Sequence, residues 1–122
     1  MNFDAFFDGY VECALWSSTD DSDPSGGKPL DEYDGDLTKK ALASMRRDCR
    51  GFLTAEVRAW LAEGGWSDSE AGHDFWLTRN RHGTGFWDRG LGEVGDRLTE
   101  ASRKFGECYL FVVGGRIAVE GG

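Results

Sequence analysis

The stretch His73-Asp-Phe-Trp-Leu-Thr-Arg-Asn-Arg-His-Gly-Thr-Gly-Phe-Trp-Asp88 is the most distinctive part of the chain. It holds both histidines, two of the five tryptophans and a Gly-x-Gly break. Phe75, Trp76, Leu77 and Thr78 are good strand formers and Gly72 precedes them, so residues 73–79 are predicted to be a strand. Asn80 to Gly85 then reads as a turn, and Phe86-Trp87 as a short extended return. Arg79, Asn80 and Arg81 are placed to hydrogen-bond turn carbonyls, and Trp76 and Trp87 to fill a core between sheet and helices.

Helices and a hairpin flank this stretch. Downstream, Asp88 is a candidate cap for a helix in which Leu91, Val94, Leu98, Ala101 and Phe105 recur at three-four spacing, closed by Gly106. Cys108–Val113 and Arg116–Glu120 then flank Gly114-Gly115, a strong signal for a two-residue hairpin. Upstream, Phe3, Phe6, Phe7, Tyr10, Val11, Ala14 and Leu15 lie on one face of a helix capped by Asn2. Residues 37–63 read as one long helix capped by Asp36. Its apolar stripe runs from Leu42 to Trp60, and Gly51 is a weak point where it kinks or divides. Gly64-Gly65 ends it, and residues 66–72 read as a connector. The expected architecture is a single α+β domain over 1–122. About three helices pack on one face of a small antiparallel sheet built from 73–79, 108–113 and 116–120.

A chain of 122 residues with eight Phe and five Trp has ample material for a core, burying roughly two-thirds of its unfolded surface. No apolar run approaches the roughly 18 residues that cross a bilayer, and the N-terminus lacks a secretory pattern, so a cytoplasmic protein is expected. Cys13, Cys49 and Cys108 are odd in number, widely spaced and set among apolar neighbours, which fits buried thiols rather than disulfides or a zinc site.

The net charge of −8 is unevenly placed. Residues 1–36 carry ten acids against the single base Lys28, a balance of −9, whereas residues 37–122 carry twelve acids against thirteen bases, a balance of +1. Most of the excess lies in a long loop at 17–36, which holds both prolines and the Gly26-Gly27 pair. A local negative patch repels nucleic acid and membranes and attracts basic surfaces. Asp20, Asp21, Asp23, Asp31, Glu32, Asp34 and Asp36 are therefore the candidate partner-binding residues. Within the loop, Asp21, Asp23, Ser25, Gly26 and Glu32 occupy positions 1, 3, 5, 6 and 12 of an EF-hand calcium loop. Lys28 at position 8 and the stiffening prolines Pro24 and Pro29 weigh against a calcium site. Lys39, Lys40, Arg46, Arg47 and Arg50 form a basic helix face, read as a solvated counterpart of the loop rather than a nucleic-acid surface.

The runs Ala14-Leu-Trp-Ser-Ser-Thr-Asp20, Gly72-His-Asp-Phe-Trp-Leu-Thr-Arg-Asn80 and Gly85-Phe-Trp-Asp88 resemble a family of small acidic proteins encoded by phages, prophages and other mobile elements. The resemblance spans most of the chain but supplies no catalytic residue. It implies a bacterial host cytoplasm during infection or lysogeny. By analogy with other small acidic proteins of that setting, including anti-restriction and anti-CRISPR proteins and DNA mimics, it implies an inhibitor of host defence. The function expected is a non-enzymatic binding protein without a cofactor. Its acidic face would occlude a basic nucleic-acid-binding site on a host protein.

Two alternatives draw on other residues. His73, His82 and Asp88, with Asp74 nearby, are ligand and acid–base types that a metal-dependent nuclease or hydrolase would use. However, His73 and His82 stand nine residues apart with no compact metal motif. A structural or regulatory interaction protein would instead use exposed tryptophans, Trp16 and Trp66.

Overall fold

The computed structural model describes residues 1–20 and 27–121. Among these residues there are five helices: α1 (Phe3–Ser17), α2 (Lys39–Phe52), α3 (Ala55–Gly64), α4 (Asp68–Arg79) and α5 (Gly92–Arg103). They are followed by a hairpin of β1 (Cys108–Val113) and β2 (Arg116–Gly121), with 3₁₀ turns at Leu30–Glu32 and Phe86–Asp88. The expectation of about three helices on a three-stranded sheet is therefore corrected. Among the described residues the protein is helix-rich, and its sheet has two strands.

The largest correction is α4. Residues 73–79, expected as a strand, form the body of this helix, and the supposed connector is its first turn. Its start is a capping box: Ser67 Oγ accepts from the Glu70 amide at 3.2 Å, and the Ser67 amide donates to Glu70 Oε1 at 3.4 Å. Ala71, Gly72 and every residue from Asp74 to Arg79 are buried, so the body of α4 has no polar stripe, while its first turn and His73 stay partly or wholly exposed. A helix enclosed on all sides loses the one-sided period that marks surface helices, and its apolar run looks like a buried strand.

The enclosure begins with α1, which packs along α4 more extensively than any other pair of helices. Small residues set the distance: a Cβ on Gly72 would overlap the Phe6 carbonyl oxygen, and one on Gly9 would overlap the backbone of Ser69. Gly72 is thus a crossing point inside a helix and not a break before a strand. Around it, Phe52 stacks on Phe75 with ring centroids 4.0 Å apart and planes 6° from parallel. Phe6, Tyr10 and Phe105 close on the same cluster.

The long helix expected over 37–63 is two. The break falls at Leu53-Thr54 rather than at Gly51, because Thr54 starts α3 by accepting from the Val57 amide at 3.2 Å. The cap of α2 is Thr38, which accepts from the Ala41 amide at 3.0 Å, not Asp36. Asp88 caps the 3₁₀ turn by accepting from the Gly85 amide at 3.0 Å, and α5 begins after it without a side-chain cap. The hairpin lies where Gly114-Gly115 placed it, with Val113 paired to Arg116. Its inner face, Leu110 and Ile117, joins the core.

Candidate functional site

The acidic loop is tied down at both ends of its described part. At its root Thr19 and Pro29 form an antiparallel bridge. There the Asp20 amide donates to the Lys28 carbonyl at 2.8 Å, and the Leu30 amide to the Ser18 carbonyl at 2.9 Å. Leu30 is buried and anchors the 3₁₀ turn. At its exit the chain becomes a third rung beside β2. The Ile117 amide donates to the Asp36 carbonyl at 3.0 Å, and the Thr38 amide to the Ile117 carbonyl at 2.9 Å. Between these two anchors Asp31, Glu32, Asp34 and Asp36 are all exposed.

Five of the seven predicted partner-binding acids lie in the described residues. Asp31, Asp34 and Asp36 line an open groove of about 810 Å³ together with Leu15, Tyr33, Leu42 and Ile117. Lys39 and Arg116 are also among its lining residues. Asp20, Glu32 and Asp34 border an adjoining hollow of about 300 Å³, so Asp34 joins the two. Asp20 differs from the others in being buried, 9% exposed, at the root of the loop. Asp21 and Asp23 lie outside the described residues. So do Ser25 and Gly26 of the calcium-loop pattern, of which only Glu32 is placed, in the 3₁₀ turn.

The residues of the metal-hydrolase alternative are not brought together. His73 lies on α4 with its Nε2 3.9 Å from Glu12 of α1. His82 is exposed in the turn after α4, beside a hollow shared with Asn80, Glu107 and Tyr109. Asp88 is committed to the Gly85 amide, a hydrogen bond that, with one from Thr84, holds its carboxyl below the usual range. Among the described residues no group of three or more His, Cys, Asp or Glu side chains is placed to hold a metal ion. Asp74 is fully buried and fully used: it accepts from Trp66 Nε1 at 2.9 Å and, through both oxygens, from Arg89 at 2.7 and 3.0 Å.

The main polar centre among the described residues is Arg79, which the sequence reading put at the end of a strand, next to a turn whose carbonyls it would meet. The Arg79 side chain is completely buried, and its guanidinium donates to Asp48 Oδ2 at 2.8 Å, the Tyr10 hydroxyl at 3.1 Å and the carbonyls of Phe105 and Gly106 at 2.9 Å. It also lies against the rings of Phe75 and Phe105. Arg79 thereby joins α1, α2, α4 and the end of α5. Burial works against its charge, but Tyr10, Cys108 and Asp48 outweigh that, and its pKa is raised. Carbonyl contact was anticipated for this residue; a buried hub was not.

Other candidates are also absorbed by packing. Arg46 and Arg50 of the basic face lie over the rings of Phe7 and Phe3, at 4.5 and 4.3 Å. Burial pushes the Cys13 thiol up to about 12 and raises Cys49 and Cys108 as well, so all three are held as unreactive thiols. Trp76 is buried and donates to Ser17 Oγ at 2.8 Å, whereas Trp87, expected in the core, is 45% exposed. Of the two tryptophans expected outside, Trp16 is exposed and Trp66 is held against Asp74 and Phe86. No helix of the described residues is long and apolar enough to cross a membrane.

No protein-family model, curated protein or solved structure matches the chain.

Proposed function

We propose that the chain is a non-enzymatic binding protein whose acidic segment engages a basic, nucleic-acid-binding site on a host protein and occludes it. The observation that carries the reading is the contrast in how charges are used. Asp48, Asp74 and Arg79 are spent on internal hydrogen bonds, whereas Asp31, Glu32, Asp34 and Asp36 are exposed and make no ion pair among the described residues. They are also held in place, because the segment is hydrogen-bonded at its root and to β2 at its exit. Charges fixed in space before binding cost less ordering entropy than charges on a free tail. The resemblance to small acidic mobile-element proteins supports a setting in a bacterial host, with a defence component as the partner.

The test is capture of host proteins on the immobilised chain at low and at high salt, with double-stranded DNA as competitor and the D31N/D34N/D36N variant as control. A charge-driven complex releases its partner steeply as salt rises. The expected partner is a basic nucleic-acid-binding protein, displaced by DNA and not retained by the variant. Capture indifferent to salt, to DNA and to the three substitutions refutes the reading.

A further inference from the structure

The outer face of the hairpin exposes large apolar side chains. Leu110 is buried and Val112 packs on the core, so the intervening side chains Tyr109, Phe111 and Val113 project from the opposite side of β1. Their cross-strand partners are Glu120, Ala118 and Arg116. Tyr109 is 56% and Val113 52% exposed, and neither Phe111 nor Ala118 belongs to the core. The rings of Tyr109 and Phe111 lie 5.9 Å apart, and the Tyr109 hydroxyl donates to Glu120 Oε2 at 2.8 Å, which fixes these three on one side.

The pattern of this face matches itself. β1 carries no charge, and on β2 a base, Arg116, and an acid, Glu120, stand at opposite ends of the apolar centre. A second copy can be laid on the face by a half-turn about an axis lying in the face and perpendicular to the strands. β2 then runs antiparallel over its counterpart, with each Arg116 against Glu120 of the other copy. Phe111 meets Phe111 at the centre and Tyr109 meets Val113. This is the isologous arrangement of two-fold dimers, in which one patch contacts its own copy. We propose that the chain self-associates through this face as a two-fold dimer.

Six residues a side is far below the roughly 20–30 of a standard interface, so the dimer is weak and depends on concentration. Exposed ion pairs add little affinity each, and here the two symmetric pairs chiefly fix the direction in which the strands cross. The prediction is independent of any host partner.

Sedimentation velocity of the full chain over a range of concentrations reads the association directly. A shift from monomer to dimer is expected with rising concentration. Phe111→Asp places two carboxylates against each other at the centre and is expected to raise the dissociation constant about tenfold or more. R116E and E120R each set like charges opposite one another and are expected to weaken the dimer several-fold. R116E/E120R restores both pairs and recovers the wild-type value. Far-UV circular dichroism checks that each variant folds; if F111D does not, the charge exchange alone decides, because both positions are exposed. A monomer at every concentration overturns the proposal, as does a dimer that ignores the single charge reversals or is not rescued by the double exchange.

Discussion

Helix α4 and the segment 27–38 both carry ionised side chains and use them in opposite ways. In the body of α4 the charges of Asp74 and Arg79 face inward. Arg79 has no exposed side-chain surface and Asp74 none, and each is met by several partners from other elements. Along 27–38 the acids face outward and it is the backbone that is satisfied, by the bridges to Ser18 and Ile117. A buried charge stabilises a fold only while its partners stay in place, whereas an exposed charge contributes little to the fold and remains open to a partner. Substitution separates the two regions by the size of its effect on stability.

The largest effect is expected at Arg79. Arg79→Leu leaves the Asp48 carboxylate, the Tyr10 hydroxyl and the carbonyls of Phe105 and Gly106 without their donor. Breaking a buried ion pair from one side costs about 3–5 kcal/mol. Urea unfolding should show a loss of that order, and a loss below about 1 kcal/mol would mean that Arg79 is not the hub. Gly72→Ala comes next: the added methyl meets the Phe6 carbonyl, so α1 must shift away from α4, at the cost of about 1–3 kcal/mol typical of overpacking. The usual gain from Gly to Ala inside a helix should be reversed in sign, and a more stable G72A would show that the two helices are not in contact there.

These two positions also show why the centre of the fold was misread from sequence. α1 and α5 carry an apolar stripe because one face meets water, and the hairpin carries a turn pair of fixed type; all were legible. From Asp74 onward α4 meets protein on every side, so Asp74 to Arg79 shows neither stripe nor alternation. One signal was present and missed: Ser67-Asp-Ser-Glu70 is a capping-box pattern, and it argues for a helix through the aromatic run. Arg79 could not have been recognised locally, since its partners Tyr10, Asp48, Phe105 and Gly106 come from distant parts of the chain. The acidic excess was legible from composition. Its fixation was not, because it depends on a bridge between Leu37 and Ile117, eighty residues apart.

A smaller effect is expected at the cap of α4, and it depends on pH. Ser67→Ala should cost about 1 kcal/mol, the usual value for a lost cap. Hydrogen bonds from the Ser67 side chain and amide hold the Glu70 carboxyl below its ordinary range. A carboxyl whose pKa is lower folded than unfolded adds stability that is complete above the unfolded value. That contribution is lost as pH falls through the folded value. Wild type should therefore exceed E70Q in thermal midpoint near neutrality, and the two should converge in acid. A gap between them that persists unchanged in acid would assign the effect to something other than ionisation.

The smallest effect on stability should come from the segment that carries the proposed function. D31N/D34N/D36N removes three charges that make no ion pair among the described residues and leaves every backbone bridge from 27 to 38 intact. Surface changes of this kind usually stay within about 0.5 kcal/mol. Removing like charges from one strip also relieves their mutual repulsion, so a slight gain is as consistent with the geometry as no change. The same variant is expected to lose the salt-sensitive host partner altogether. Stability kept and binding lost is an outcome that substitution of Asp74 or Arg79 on α4 cannot produce, because those two charges are part of the packing. If the triple variant instead unfolds like R79L, the acids of 27–38 are structural after all, and the division between the two regions fails.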